Sequence, residues 1–136
     1  MSVTEDAADS LGAGIDQCVT ACDALVRVSE DCADACLVVD GDGEVTACFL
    51  ADLDCIEICT STTRVLSWHS QHNGPTAVLI LETCREASRI SAAACERMAG
   101  LHPSWPTCSM ACRRVSDACT RLLAILRRRE GSPADG

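Results

Sequence analysis

Cys18-Val-Thr-Ala-Cys-Asp-Ala-Leu-Val-Arg-Val-Ser-Glu-Asp-Cys-Ala-Asp-Ala-Cys36 decides the fold. Steps of four and three along it visit Cys18, Cys22, Leu25, Ser29, Cys32 and Cys36, and Asp, Glu and Arg occupy the positions between. That is the period of a helix with one buried stripe. The same stepping recurs three times. Cys48 leads to Asp52, Cys55, Cys59, Thr62, Leu66 and His69; Cys84 leads to Ser88, Ser91, Cys95, Met98 and His102. Trp105 leads to Cys108, Cys112, Val115, Cys119, Leu122 and Leu126. All 12 cysteines fall on these four stripes, so the spacing predicts a Cys-lined core.

Breakers separate the stripes. Asp40-Gly-Asp-Gly43 ends a first segment running from about Ile15 to Val39. The second spans Glu44 to about His72 and stops at Asn73-Gly74-Pro75, where Asn or Gly suits a helix end and Pro a helix start. The third runs from Pro75 to Ala99, closed by Gly100 and Pro103. The fourth takes Ser104 as its N-cap and ends near Arg129, with Arg127, Arg128 and Arg129 where the helix dipole favours cations. No strand pattern competes. The expected architecture is all-α: an antiparallel up-down-up-down four-helix bundle over residues 14–130, with an acidic N-terminal extension (1–13) and a flexible tail (131–136).

Composition narrows the function. The 136 residues carry 11 basic side chains, all Arg, against 20 acidic ones, for a net charge of −9. A phosphate backbone would be repelled, and one Phe, two Trp and no Tyr provide few platforms for stacking bases, so no nucleic-acid partner is expected. No apolar run approaches a membrane span. The N-terminus shows no basic-then-apolar signal segment, and the chain is read as cytosolic.

Twelve cysteines in a helical chain without an export signal conflict with a disulfide scaffold. The i, i+4 pairs Cys18/Cys22, Cys32/Cys36, Cys55/Cys59 and Cys108/Cys112 place their Cβ atoms about 5–6 Å apart. A disulfide needs roughly 3.5–4.5 Å. Simple packing would fill the stripes with Leu rather than with Ser, Thr and Asp. Cys-x3-Cys instead suits a soft monovalent ion such as Cu(I), pinched by two thiolates. Each thiol sheds a proton and each Cu(I) brings one positive charge, so many ions are buried together without net charge. Zn(II) needs about four ligands per site, and Cys-x2-Cys knuckles and the c-type haem motif are absent. Asp40-x-Asp-x-Glu44 begins like a calcium loop, but Val45 stands where the turn glycine belongs, leaving a plain turn.

Leu53-Asp-Cys-Ile-Glu-Ile-Cys-Thr60 and Leu101-His-Pro-Ser-Trp-Pro-Thr-Cys-Ser-Met-Ala-Cys-Arg-Arg-Val-Ser-Asp-Ala-Cys119, with the order and phase of the other cysteines, resemble the four-helix-bundle copper-binding family and within it the cytosolic copper storage proteins. The resemblance covers about residues 14–127. It implies multiple Cu(I) ions along the axis, a homotetramer, loading through a bundle end lined by His and a carboxylate, and storage or detoxification rather than turnover. Leu25, Ser29, Thr62, Ser88, Ser91 and Val115 stand at stripe positions that are often Cys in that family, which implies a smaller capacity.

Topology places the mouth. The end of helix one, the start of two, the end of three and the start of four share one end. That end gathers Cys36, Cys48, Asp52, Met98, His102, Cys108 and Met110. A thioether and an imidazole hold Cu(I) more loosely than thiolates, which suits handover. The other end holds His69 and His72 and is expected to be plugged by Leu122 and Leu126. Expected capacity is roughly 12 Cu(I) if every sulfur bridges, or about six in unshared pairs. A copper chaperone is the expected donor. The alternatives are a thiol redox buffer and a zinc or cadmium sink. Surplus apolar residues, among them Leu37, Leu50, Leu53 and Ile56, are expected to meet another protomer.

Overall fold

The Asp42 carboxylate oxygen Oδ1 accepts the Glu44 N–H at 2.9 Å and starts a helix where the acidic-glycine break predicts one. The structure is a computed structural model that describes residues 3–39, 42–68, 74–98 and 100–130. Among these, four helices are present: α1 (Val3–Val38), α2 (Gly43–Ser67), α3 (Gly74–Arg97) and α4 (Ser104–Glu130). Each packs on its two neighbours in the ring α1–α2–α3–α4–α1, as an up-down-up-down bundle requires.

Two details differ from the sequence expectation. α1 begins at Val3, so residues before Ile15 continue the helix instead of preceding it. Gly12 and Gly14 are helical, and Gly14 has a packing reason. A Cβ there would lie 3.2 Å from Ile125 Cδ1 and 3.3 Å from Leu122 Cδ1, so the missing side chain brings α1 close to α4. Ser104 is the first helical residue of α4, not its cap. Its N–H is accepted by His102 Nδ1 at 3.0 Å.

Every stripe position within the described residues is buried except His102, which is half-buried. At one end the core is sealed by Leu66, Leu81, Leu122 and Leu126. At the other end lie Trp105, Met98 and Val45. Exposed pairs Arg127–Glu82, at 2.8 Å, and Arg113–Glu96 join α3 to α4 at the surface and add little. His69, His72, Asp40, Gly41, Asn73, Ala99 and the 131–136 tail lie outside the described residues.

Candidate metal centre

Four antiparallel helices with small inward side chains leave their sulfurs facing one another along the axis. All twelve cysteines are free and buried. Cys18 and Cys119 sulfurs are 3.9 Å apart across α1 and α4. Cys84 on α3 meets both Cys22 of α1 and Cys59 of α2 at 3.9 Å. Cys48 and Cys95 pair at 4.0 Å. These contacts join different helices. They suit metal-bridged thiolates and exceed any S–S bond.

Three groups of donors converge closely enough to share an ion: Cys32, Asp52, Cys95 and Cys108; Cys32, Cys36, Cys48 and Asp52; and Cys22, Cys59 and Cys84. The first two share Cys32 and Asp52 and form one cluster. Asp52 is fully buried; its Oδ1 accepts from the Cys108 thiol at 3.6 Å, while Oδ2 has no partner. A buried carboxylate oxygen without a donor is costly and fits a place where a cation is to come. Burial raises the Asp52 pKa to about 6, against the opposing hydrogen bonds from Cys32 and Cys108.

The thiols divide by role in proton sharing. Cys18, accepting from Cys119 and then Cys22, is pulled down to about 5. Cys48, accepting from Cys32 and then Cys95, is also lowered to about 5. Cys84 is lowered by Cys119, Cys22 and Cys59. Their partners Cys22, Cys32 and Cys119 hold the shared protons and are raised. Each cluster therefore contains a thiolate-ready sulfur beside donors that release protons when a cation replaces them.

Trp105 was legible as a stripe residue but not as a partner of sulfur. Its indole Nε1–H donates to Cys48 Sγ at 3.1 Å. The His102 ring stands edge-on to Trp105, 5.6 Å between centroids. With Nδ1 accepting the Ser104 N–H, neutral His102 keeps its proton on Nε2 and has no free lone pair for a metal in this arrangement. Met98 is buried in the core, whereas Met110 is exposed. Cys36 is 6% exposed, and the eleven other thiols are at 1% or less.

A sequence model of the family described as copper storage protein matches residues 12–124. The chain belongs to the copper storage protein family. Solved structures of Streptomyces lividans Ccsp share its fold. A histidine-to-alanine variant is 32% identical, with a TM-score of 0.79, covering 84% of this chain and 95% of that one. The Ccsp copper storage protein loaded with 10 copper equivalents is 32% identical at a TM-score of 0.78, covering 82% and 85%. A cytosolic copper storage protein from the same organism, in a copper-loading structure with five coppers, matches at 32% and 0.78, covering 82% and 93%. No curated protein matches the chain.

Proposed function

We propose that this member of the copper storage protein family holds multiple Cu(I) ions on its core cysteines in the cytosol and so limits copper toxicity. One observation carries the reading: twelve free thiols line a single buried axis in contacts near 4 Å, with a thiolate-ready sulfur in each cluster. Soft sulfur donors of this density suit Cu(I). The copper-loaded relatives, one of them cytosolic, agree with that chemistry. The binding unit is residues 14–130, and the protein acts by holding its cargo rather than by turning over a substrate.

Ions enter at the end where Cys36 has its small exposure. Cys36, Cys48, Asp52 and Cys108 form the first sites, with Met98 and His102 as weaker handover ligands. His102 takes part by giving up its bond to Ser104. A copper chaperone supplies the ions. The protein is a homotetramer, a reading supported by Leu50, Leu53, Leu79 and Ile90, which are exposed on α2 and α3.

The test is an anaerobic Cu(I) titration of reduced protein against a strong chromogenic chelator, with thiols counted in the same sample. Withholding of about six or more equivalents supports storage. Loss of nearly all copper to the chelator, together with tight zinc binding or disulfides formed under mild oxidant, would replace it with the zinc-sink or redox reading.

A further inference from the structure

The thiols are not evenly spread along the axis. Cys32, Cys36, Cys48, Cys95 and Cys108 gather with Asp52 at the end holding Trp105. Cys18, Cys22, Cys59, Cys84 and Cys119 gather at the leucine-sealed end. Between these fives stand Cys55 and Cys112, side by side, with Cys112 also next to Cys108 of the outer five. Neither belongs to any group of three convergent donors among the described residues, and the Cys55 thiol points to the Ala87 carbonyl at 3.6 Å.

Hydroxyls fill the rest of that level. α1 and α3 run in the same direction, with Cys22 opposite Cys84. Two helical turns further on each, Ser29 comes opposite Ser91. Both are fully buried, and neither hydroxyl has a hydrogen-bond partner. Ser88, one turn from Ser91, spends its hydroxyl on the Cys84 carbonyl at 2.8 Å. Neutral hydroxyl oxygen is a hard, weak donor that Cu(I) passes over in favour of sulfur. A chain of sulfur-bridged ions is therefore interrupted at this level.

We propose that the bundle holds Cu(I) in two separate thiolate clusters, one at each end, connected only by a two-coordinate relay at Cys55 and Cys112 across a waist of serine hydroxyls. This inference rests on the Cu(I) storage reading. In the relay an ion leaves two thiolates of the outer cluster and binds the Cys55 and Cys112 sulfurs, which lose their protons as the vacated sulfurs regain theirs. The same exchange then delivers it to the inner cluster. Copper remains monovalent throughout. Ser91 stands beside both relay thiols. It thus has a use for its unpartnered hydroxyl in the moment of transfer.

The full-length reduced protein is loaded anaerobically with Cu(I), followed by stopped-flow absorbance of the thiolate–copper bands and by native mass spectrometry. The wild type is expected to load in two phases and to accumulate one half-filled species. In Cys55→Ser/Cys112→Ser the first phase is unchanged and the second slows by about tenfold or more. Ser29→Cys/Ser91→Cys closes the gap with sulfur and merges the phases. Cys84→Ala removes the hub of the inner cluster and abolishes the second phase alone. Single-phase loading of the wild type without an intermediate, or wild-type kinetics in the relay double variant, overturns the two-cluster arrangement. Loss of all copper to a competing chelator in the same wild-type sample overturns the storage reading itself.

Discussion

Trp105 is a wholly buried aromatic whose N–H reaches sulfur. The indole thus reports on Cys48, a thiol of the Asp52 cluster. Trp68, the other tryptophan, is exposed at the end of α2. We expect the first Cu(I) equivalents to quench tryptophan emission. The response persists in Trp68→Phe and disappears in Trp105→Phe, as a fluorescence titration checks. Asp52 gives a second prediction, for the metal-free protein. Its carboxyl faces Cys32, Cys36, Cys48, Cys95 and Cys108, with no cation among them. Its pKa rises from 3.8 to about 6 on folding, so the folded state favours the protonated form. That contribution is complete below the unfolded value and is lost as pH climbs through about 6. Asp52's own contribution to apo stability, read in denaturant melts as the difference between wild type and Asp52→Asn, should fall by up to roughly 3 kcal/mol between pH 4 and 7. Asp52 was visible in the sequence as the odd carboxylate on a thiol stripe. Its unpartnered oxygen and the indole–sulfur bond were not, because they depend on which helices stand opposite.

At the scale of elements, helical phase was fully legible: every predicted stripe position in α1 to α4 that the structure describes is buried but for His102. A period of 3.6 is a local property, and cysteines made it conspicuous. The start of α1 was not legible, since the inward stripe of apolar and thiol residues begins only near Ile15 and the acidic residues before it read as an extension; Gly14 also weakens the helix by about 1 kcal/mol relative to alanine in isolation. The compensation comes from α4, whose Leu122 and Ile125 occupy the space a side chain at position 14 would take. Gly14→Leu should therefore lower the melting temperature by several degrees, at a cost of about 1–3 kcal/mol for overpacking. Gly14→Ala should be close to neutral, because improved propensity offsets a contact that leucine and isoleucine tips can relieve. Calorimetry of the two variants separates packing from propensity. The cap of α4 was misread for a related reason. Ser ahead of a helix is the usual signal, but Pro103 and the T-shaped His102–Trp105 contact bring the imidazole to the Ser104 N–H first.

For the whole molecule, the core of the metal-free bundle is thin. Cysteine and alanine fill most of it, Trp105 is its single large aromatic, and Ser29 and Ser91 leave hydroxyls unsatisfied at about 1–3 kcal/mol each. Ions that bind only the folded arrangement of thiols stabilise it by mass action. Loading to saturation is expected to raise the melting temperature by well over 10 °C, and removal with a Cu(I) chelator to restore the apo value; an unchanged melting curve would place the metal off the axis. The leucine seal made by Leu66, Leu81, Leu122 and Leu126 has a consequence for time as well as for packing. A tube closed at one end returns its contents in reverse order of arrival. With entry at the Cys36 end, as proposed above, the oldest copper would rest against the leucines and the newest would lie nearest the opening. Brief swings in supply would then turn over only the top of the stack, while the bottom ages undisturbed as a reserve drawn on in prolonged scarcity.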